Sequence, residues 1–171
     1  MPLAALTKPV KPSTLSPGSL DCASKRITPQ LETALRTSFD DLENAPLRAN
    51  AFEQLYLVVD SCVVDNGWGI EKFEPYFDYS LTRMTRMWLI PDLQKAGMNI
   101  AKIDDAFNFG PGRISILEAT KGKSDKQVDL IIDTLQTMKI DVNTLSEKRV
   151  ESLLLYILAT WQYWDAVEVM G

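Results

Sequence analysis

The sequence predicts a mainly α fold, an irregular bundle of six or seven helices preceded by a disordered basic arm. Two observations support this class. Apolar residues recur at intervals of three and four through most of the chain after residue 28. Residues 1–27 are rich in Pro, Ser and Thr and have too little apolar surface to offset the entropy of ordering. We therefore divide the chain into an arm, 1–27, and a single helical domain, 28–171.

Capping residues and prolines indicate where the predicted helices begin and end. Thr28-Pro29 is an N-cap followed by proline at the first helical position. Ser124 and Thr144 each open a capping-box pattern, and Pro91 is expected to interrupt the third helix. The predicted helices are residues 29–43, 47–64, 75–90, 99–107, 124–138 and 145–168.

Two segments are compatible with either a helix or a strand. Residues 55–64 are apolar on nearly every side, and residues 113–120 show no clear period. Periodicity does not separate a short buried helix from a buried strand. We favour a helix for the first segment, because Phe52, Leu55 and Val59 share one face at helical spacing.

The net charge of −5 is unevenly distributed along the chain. Residues 1–28 have a net charge of +3, which leaves −8 for the rest. The positive charges of this first part belong to Lys8, Lys11, Lys25 and Arg26. A basic arm on an acidic body is typical of an interaction tail, although the sequence leaves open whether it is a targeting segment. The acidic body should repel phosphate, so nucleic-acid binding is disfavoured except through the arm.

The counts of histidine and cysteine exclude several kinds of site. Histidine is absent, so no histidine can serve as a general base, a nucleophile's partner or a metal ligand. Cys22 and Cys62 cannot supply a four-ligand zinc site, and we predict no metal and no cofactor. We expect both cysteines to be free thiols in the cytoplasm or another reducing compartment. The longest strongly apolar stretch, 152–164, is too short to span a membrane.

One segment combines the residue types that are enriched at protein interfaces. Aromatic, arginine and methionine side chains concentrate between residues 76 and 88. Trp88 and its apolar neighbours are expected in the core. The candidates for contact with a partner are Tyr76, Tyr79, Arg83 and Arg86.

A glycine-rich turn followed by basic residues is a weaker candidate, for binding an anion. Backbone N–H groups beside two glycines can hold an anion. The segment matches neither a phosphate-binding Walker loop nor a dinucleotide fingerprint, and a turn of this composition needs no ligand. The candidate residues are Gly110, Gly112, Arg113, Lys121 and Lys123.

Carboxylates on two helices raise the questions of a buried charge and of a metal site. Asp60 lies in the most apolar stretch, so we predict a buried, structural ion pair with Arg83 or Arg86. A second set recurs every four residues and could bind a hard cation, but a solvated helix face is the favoured interpretation. This second set is Asp125, Asp129 and Asp133.

These features favour a non-enzymatic protein that binds another protein, or itself, as a regulator, adaptor or inhibitor. The alternative is a subunit of a nucleoprotein assembly, such as a coat protein or a small helical subunit of an effector complex. It rests on the basic arm together with Arg83, Arg86 and Arg113. A third hypothesis is a small helical enzyme or ligand carrier in which Asp60 or Asp65 carries out acid–base chemistry.

Overall fold

The computed structural model describes residues 19–171, which form seven α-helices and no strand. Short 3-10 turns lie before α1 and before α4, α6 and α7. None of the described helices is both long and apolar enough to cross a membrane. The helices are α1 Cys22–Arg26, α2 Pro29–Asp40, α3 Ala45–Asp65, α4 Phe73–Lys95, α5 Ile100–Ala106, α6 Ser124–Thr137 and α7 Glu147–Met170.

The two longest helices, α4 and α7, pack against each other as the centre of the fold. They are antiparallel, since Tyr79 of α4 contacts Tyr163 while Arg86, further along α4, contacts the earlier residue Thr160. Each end of this pair belongs to a different apolar cluster. One cluster joins α1, α2 and α3 to residues 73–88 of α4 and the end of α7, and includes Leu35, Leu55 and Val59. The other joins α5 and α6 to the opposite ends, and includes Ile103, Leu135 and Ile157.

The predicted helix starts are confirmed in part. The Thr28 hydroxyl accepts a hydrogen bond from the Leu31 backbone N–H at 3.2 Å, as an N-cap should. The prediction that Ser124 and Thr144 are the N-caps of capping boxes is wrong. Ser124 is already the first residue of α6. Thr144 ends a 3-10 turn, so the cap of α7 is Ser146, whose hydroxyl accepts from a backbone N–H one turn later.

Pro91 does not interrupt the third predicted helix, because α4 continues through it to Lys95. A proline in a helix removes one hydrogen bond, here to the carbonyl of Met87. Met87 lies on the exposed side of α4, where water can satisfy that carbonyl. Leu93, beyond the proline, is buried in the second cluster and holds the last turn in place.

The two ambiguous segments are resolved differently. Residues 55–64 are helical, as favoured, and lie within α3. Residues 113–120 form neither an α-helix nor a strand. They make a loop that ends in the 3-10 turn Glu118–Thr120.

The boundary that we predicted after residue 27, between the arm and the helical domain, lies too far along the chain, because residues 19–27 fold onto the helical domain. They form a 3-10 turn, Ser19–Asp21, followed directly by α1. Cys22 of α1 is bonded to Cys62 of α3 in a disulfide, with 5.9 Å between their Cα atoms. The prediction of two free thiols is therefore wrong, and a disulfide does not fit the expected reducing compartment. The first part of the predicted arm, residues 1–18, lies outside the described residues.

Candidate functional site

The four residues predicted to contact a partner lie together on α4, but they face other parts of the same chain. Tyr76 and Tyr79 are buried, and Arg83 and Arg86 are half-buried. The prediction that these side chains are presented at the surface is wrong for the two tyrosines. Their surroundings fall into two groups of contacts, one with the N-terminal segment and one with α7.

The first group holds residues 19–26, which we call the N-terminal clamp. The Tyr76 hydroxyl donates to the backbone carbonyl of Leu20 at 3.1 Å and accepts from the backbone N–H of Ala23 at 2.9 Å. Arg83 Nη1 donates to Asp21 Oδ1 at 2.7 Å. This hydrogen bond, reinforced by the positive charge of Arg83, holds the pKa of Asp21 below its ordinary value.

A salt bridge and the disulfide attach the N-terminal clamp to α3 as well. Arg26 pairs with Asp65, and a second nitrogen of its guanidinium donates to the Ser61 hydroxyl at 2.9 Å. Together with the Cys22–Cys62 bond, these contacts attach the clamp to α3. Its bonds to Tyr76 and Arg83 attach it to α4. The clamp covers the part of the suggested α4 surface that Tyr76 and Arg83 form.

The second group fills the contact between α4 and α7. Arg86 Nε donates to the Thr160 hydroxyl at 3.0 Å, and its guanidinium carbon lies 4.6 Å from the centre of the Tyr163 ring. This is the geometry of a cation–π contact. The Tyr156 hydroxyl donates to Asp104 of α5 at 2.7 Å, so the same network reaches a third helix.

Burial raises the pKa of two tyrosine hydroxyls in this network. Burial raises the pKa of Tyr79 to about 12, and the neighbouring Tyr163 adds to the shift. Burial also raises the pKa of Tyr156 to about 12, and its bond to Asp104 adds to the shift. Both hydroxyls are therefore neutral near pH ~7 and act as hydrogen-bonding groups. The pKa of Asp104 is raised by burial, which its bond from Tyr156 partly opposes.

Asp60 is exposed on α3, and the prediction of a buried ion pair is wrong. The two proposed partners bond elsewhere, Arg83 to Asp21 and Arg86 to Thr160. Val59 and Val63 carry the buried side of α3, and Asp60 points away from it. One side of residues 55–64 therefore faces solvent, although most of its side chains are apolar.

Two of the three cations of the weak anion candidate pair with carboxylates of the same chain. Arg113 Nη1 pairs with Asp105 at 3.3 Å, and Lys121 Nζ lies 3.7 Å from both Glu118 and Asp165. Gly112 has φ +68°, so it is needed for the turn itself. Gly110, at φ +150°, allows the Arg113 side chain to fold back over the turn. Lys123 is exposed at the start of α6.

The three regularly spaced carboxylates of α6 are exposed, as the favoured interpretation predicted. Within residues 19–171, no group of Cys, Asp or Glu is arranged to hold a metal ion. A separate cavity of about 310 Å³ beside α4 and α7 is lined by Glu74, Asp78 and Asp165, together with Trp161. The pKa of Asp78 is raised by burial and by these two neighbouring carboxylates.

A cavity of about 780 Å³ forms a groove between α2, α4 and the start of α7. We call it the acidic groove. Its floor, by which we mean the apolar part of its lining, consists of Phe39, Trp88, Leu89 and Leu155. Trp88 is 9% exposed, and the polar residues Thr85 and Ser152 also line the groove. Leu42, in the loop after α2, lies at one edge and is 63% exposed. The groove lies where the two apolar clusters meet, since Phe39 and Trp88 belong to the first and Leu89 packs on the second.

Charged side chains surround this floor. Arg36 of α2 pairs with Asp92 of α4 at 3.5 Å, so these two charges largely neutralise each other. The other charged residues of the rim are Lys148 and the three carboxylates of Asp40, Glu147 and Glu151. These three form none of the ion pairs found in residues 19–171. The rim therefore has two cations and four carboxylates, a net charge of −2.

The sequence did not indicate this groove. Its residues come from three helices, and each of them fits an ordinary role when taken alone. Trp88 was expected in the core, and Glu147 is a favourable residue for a first helical turn. The only local signal is Leu42, a large apolar residue just after the end of a helix. Its exposure could not be foreseen without the tertiary arrangement.

No protein-family model, curated protein or solved structure matches this chain. The function is therefore inferred from the residues and contacts described above.

Proposed function

We propose that the protein is a non-enzymatic binding protein that holds one helix of a partner protein in the acidic groove. The observation that carries this proposal is the open apolar floor of the groove, flanked by helices on both sides. Phe39 and Trp88 are aromatic, and aromatic side chains in a pocket often supply much of the binding energy at protein interfaces. Leu42 exposes apolar surface at the edge, where a bound helix would cover it.

The shape of the groove suits a short helix. The lining residues of α4 run from Thr85 to Asp92 on one face, a length of about 10 Å at 1.5 Å per residue. Those of α7 run from Glu147 to Leu155, about 12 Å. Two turns of a guest helix are about 11 Å long. An amphipathic helix binds such a groove with apolar residues one turn apart.

Within this chain, the N-terminal clamp already occupies the other surface that the sequence suggested. The clamp covers Tyr76 and pairs with Arg83, so a partner would have to displace it to reach them. The nucleoprotein alternative also relied on Arg83, Arg86 and Arg113. All three are bonded within the chain, which favours protein binding over nucleic-acid binding.

The test is a selection from random peptides of about 14 residues, four helical turns, displayed against the full chain. Selected peptides are then measured by fluorescence anisotropy on the wild-type chain and on three variants. Leu42→Ser removes exposed apolar surface at the groove, and Ser152→Trp fills the groove from α7. The matched control is Ile70→Ser, since Ile70 is 77% exposed and lies outside the groove.

We expect micromolar peptides whose affinity falls about three- to ten-fold with Leu42→Ser, in proportion to the apolar surface lost. Ser152→Trp should abolish binding, and Ile70→Ser should have little effect. Circular dichroism of each variant checks that it is folded. The proposal is contradicted if no peptide binds, or if the selected peptides bind all three variants equally.

A further inference from the structure

We infer that the helix bound by the acidic groove is basic, with Lys or Arg on both sides of its apolar stripe. This inference rests on the proposed function and specifies the partner. It excludes acidic helices as partners, and it excludes anionic lipid and nucleic acid, which the groove's carboxylates would repel.

The first argument is the charge that remains after internal pairing. Arg36 and Asp92 satisfy each other at 3.5 Å. Three carboxylates then face a single cation, Lys148. Opposite charge across an interface speeds association and rejects partners of the same sign.

The second argument is where these carboxylates lie. Asp40 stands on α2, and Glu147 and Glu151 stand on α7, so each wall of the groove carries at least one carboxylate outside the Arg36–Asp92 pair. Glu147 and Glu151 are four residues apart and therefore share one side of α7. The floor between the walls is apolar. A helix lying on that floor meets carboxylates on both of its flanks, and this arrangement selects a basic residue on each side of the apolar stripe.

The third argument concerns the second copy of this chain as an occupant. Residues 29–171 have a net charge of −8, so a second copy as a whole is repelled by the acidic groove. A basic segment of a different protein fits the rim better. A second copy is one of the outcomes that the experiment below distinguishes.

The experiment uses the full chain and three synthetic peptides of about 14 residues with one identical apolar stripe of Leu and Trp. The polar face carries Lys in the first peptide, Gln in the second and Glu in the third. Affinity is measured by fluorescence anisotropy at about 50 mM and 300 mM salt, since exposed charges are screened as salt rises. Two-dimensional amide NMR of the full chain locates each bound peptide.

The protein variants carry equal changes of charge. The test variant is Asp40→Asn with Glu147→Gln and Glu151→Gln. The matched control neutralises three exposed carboxylates of α6, outside the groove, through Asp125→Asn, Asp129→Asn and Asp133→Asn. Both variants raise the net charge of the chain by three, so any effect of overall charge is common to them.

We expect the Lys peptide to bind at least ten times more tightly than the Glu peptide, with the Gln peptide between them. Groove neutralisation should weaken the Lys peptide by about eight-fold, a factor of about two for each exposed pair. The α6 control should change its affinity by less than two-fold, and the difference between peptides should shrink at high salt.

Two kinds of failure are distinguishable. If all three peptides bind in the groove with equal affinity, or if the α6 control weakens the Lys peptide as much as the groove variant, the inference is wrong and the proposed function stands. If no peptide shifts the amides of α2, α4 and α7, both are wrong. A concentration-dependent dimer whose contact maps to the groove, seen by light scattering, would instead assign the groove to a second copy.

Discussion

The Cys22–Cys62 disulfide should supply a large part of the stability of this domain. Breaking it frees a loop of 40 residues in the unfolded chain. The loop-closure entropy for that length corresponds to about 4 kcal/mol at 25 °C. For a chain of this size, such a loss lowers the melting temperature by about 8–16 °C. The N-terminal clamp would then lose its covalent attachment to α3 and keep only non-covalent contacts, so its amides should exchange first.

The assay compares urea unfolding of the oxidised protein, the protein with a dithiol reductant, and the Cys22→Ala/Cys62→Ala variant. Reductant should lower the free energy of unfolding of the wild-type chain and leave that of the double variant unchanged. Thiol titration of the untreated, denatured protein should find no free thiol. Two titratable thiols, or a difference in unfolding free energy below about 1 kcal/mol, would refute the loop-closure argument.

Three further outcomes follow from the contacts of α4 and α7. Tyr76→Phe removes the hydroxyl that bonds two backbone groups of the clamp, and should lower the free energy of unfolding by about 1–3 kcal/mol in urea, because those groups lose their partner. The pKa of Asp21 is lowered by Arg83, so their pair stabilises the fold above the unfolded pKa, and this contribution is lost as pH falls through the folded value. Asp21→Asn should therefore flatten the pH dependence of stability below about pH 4, whereas an unchanged acid limb would contradict the pairing. Tyr156→Phe should raise the pKa of Asp104 further, as read from its carboxyl carbon by NMR, because the carboxylate loses a hydrogen-bond donor; a lowered pKa would contradict this.

Much of the helical architecture was predictable because it depends on local signals. The start of α2 follows from Thr28-Pro29, and both α2 and α3 lie within a few residues of their predicted bounds. Apolar periodicity located α7 in the same way. Local patterns were less reliable where tertiary contact overrides them. Pro91 remains inside α4, since buried residues on both sides hold the helix together.

The disulfide and the groove depend on contacts between distant segments, which a single sequence does not reveal. Cys22 lies in a stretch whose composition suggests an arm, and its bond to Cys62 is what attaches that stretch to α3. The mistaken prediction that Asp60 is buried has the same cause. Its neighbours in sequence are apolar, but the direction of its side chain depends on which face of α3 the rest of the fold covers.

The clustering of tyrosine and arginine on α4 indicated a desolvated contact, and the structure contains one. Composition does not reveal whether such a contact lies between two chains or within one. Here the N-terminal clamp supplies the backbone groups and the carboxylate that a partner would otherwise supply to Tyr76 and Arg83. The groove beside Trp88 is less completely matched within residues 19–171, because Asp92 pairs with Arg36 but Asp40, Glu147 and Glu151 form no ion pair there. A binding surface is therefore better inferred from apolar and charged groups that remain unmatched after folding than from the residue types that are enriched at interfaces.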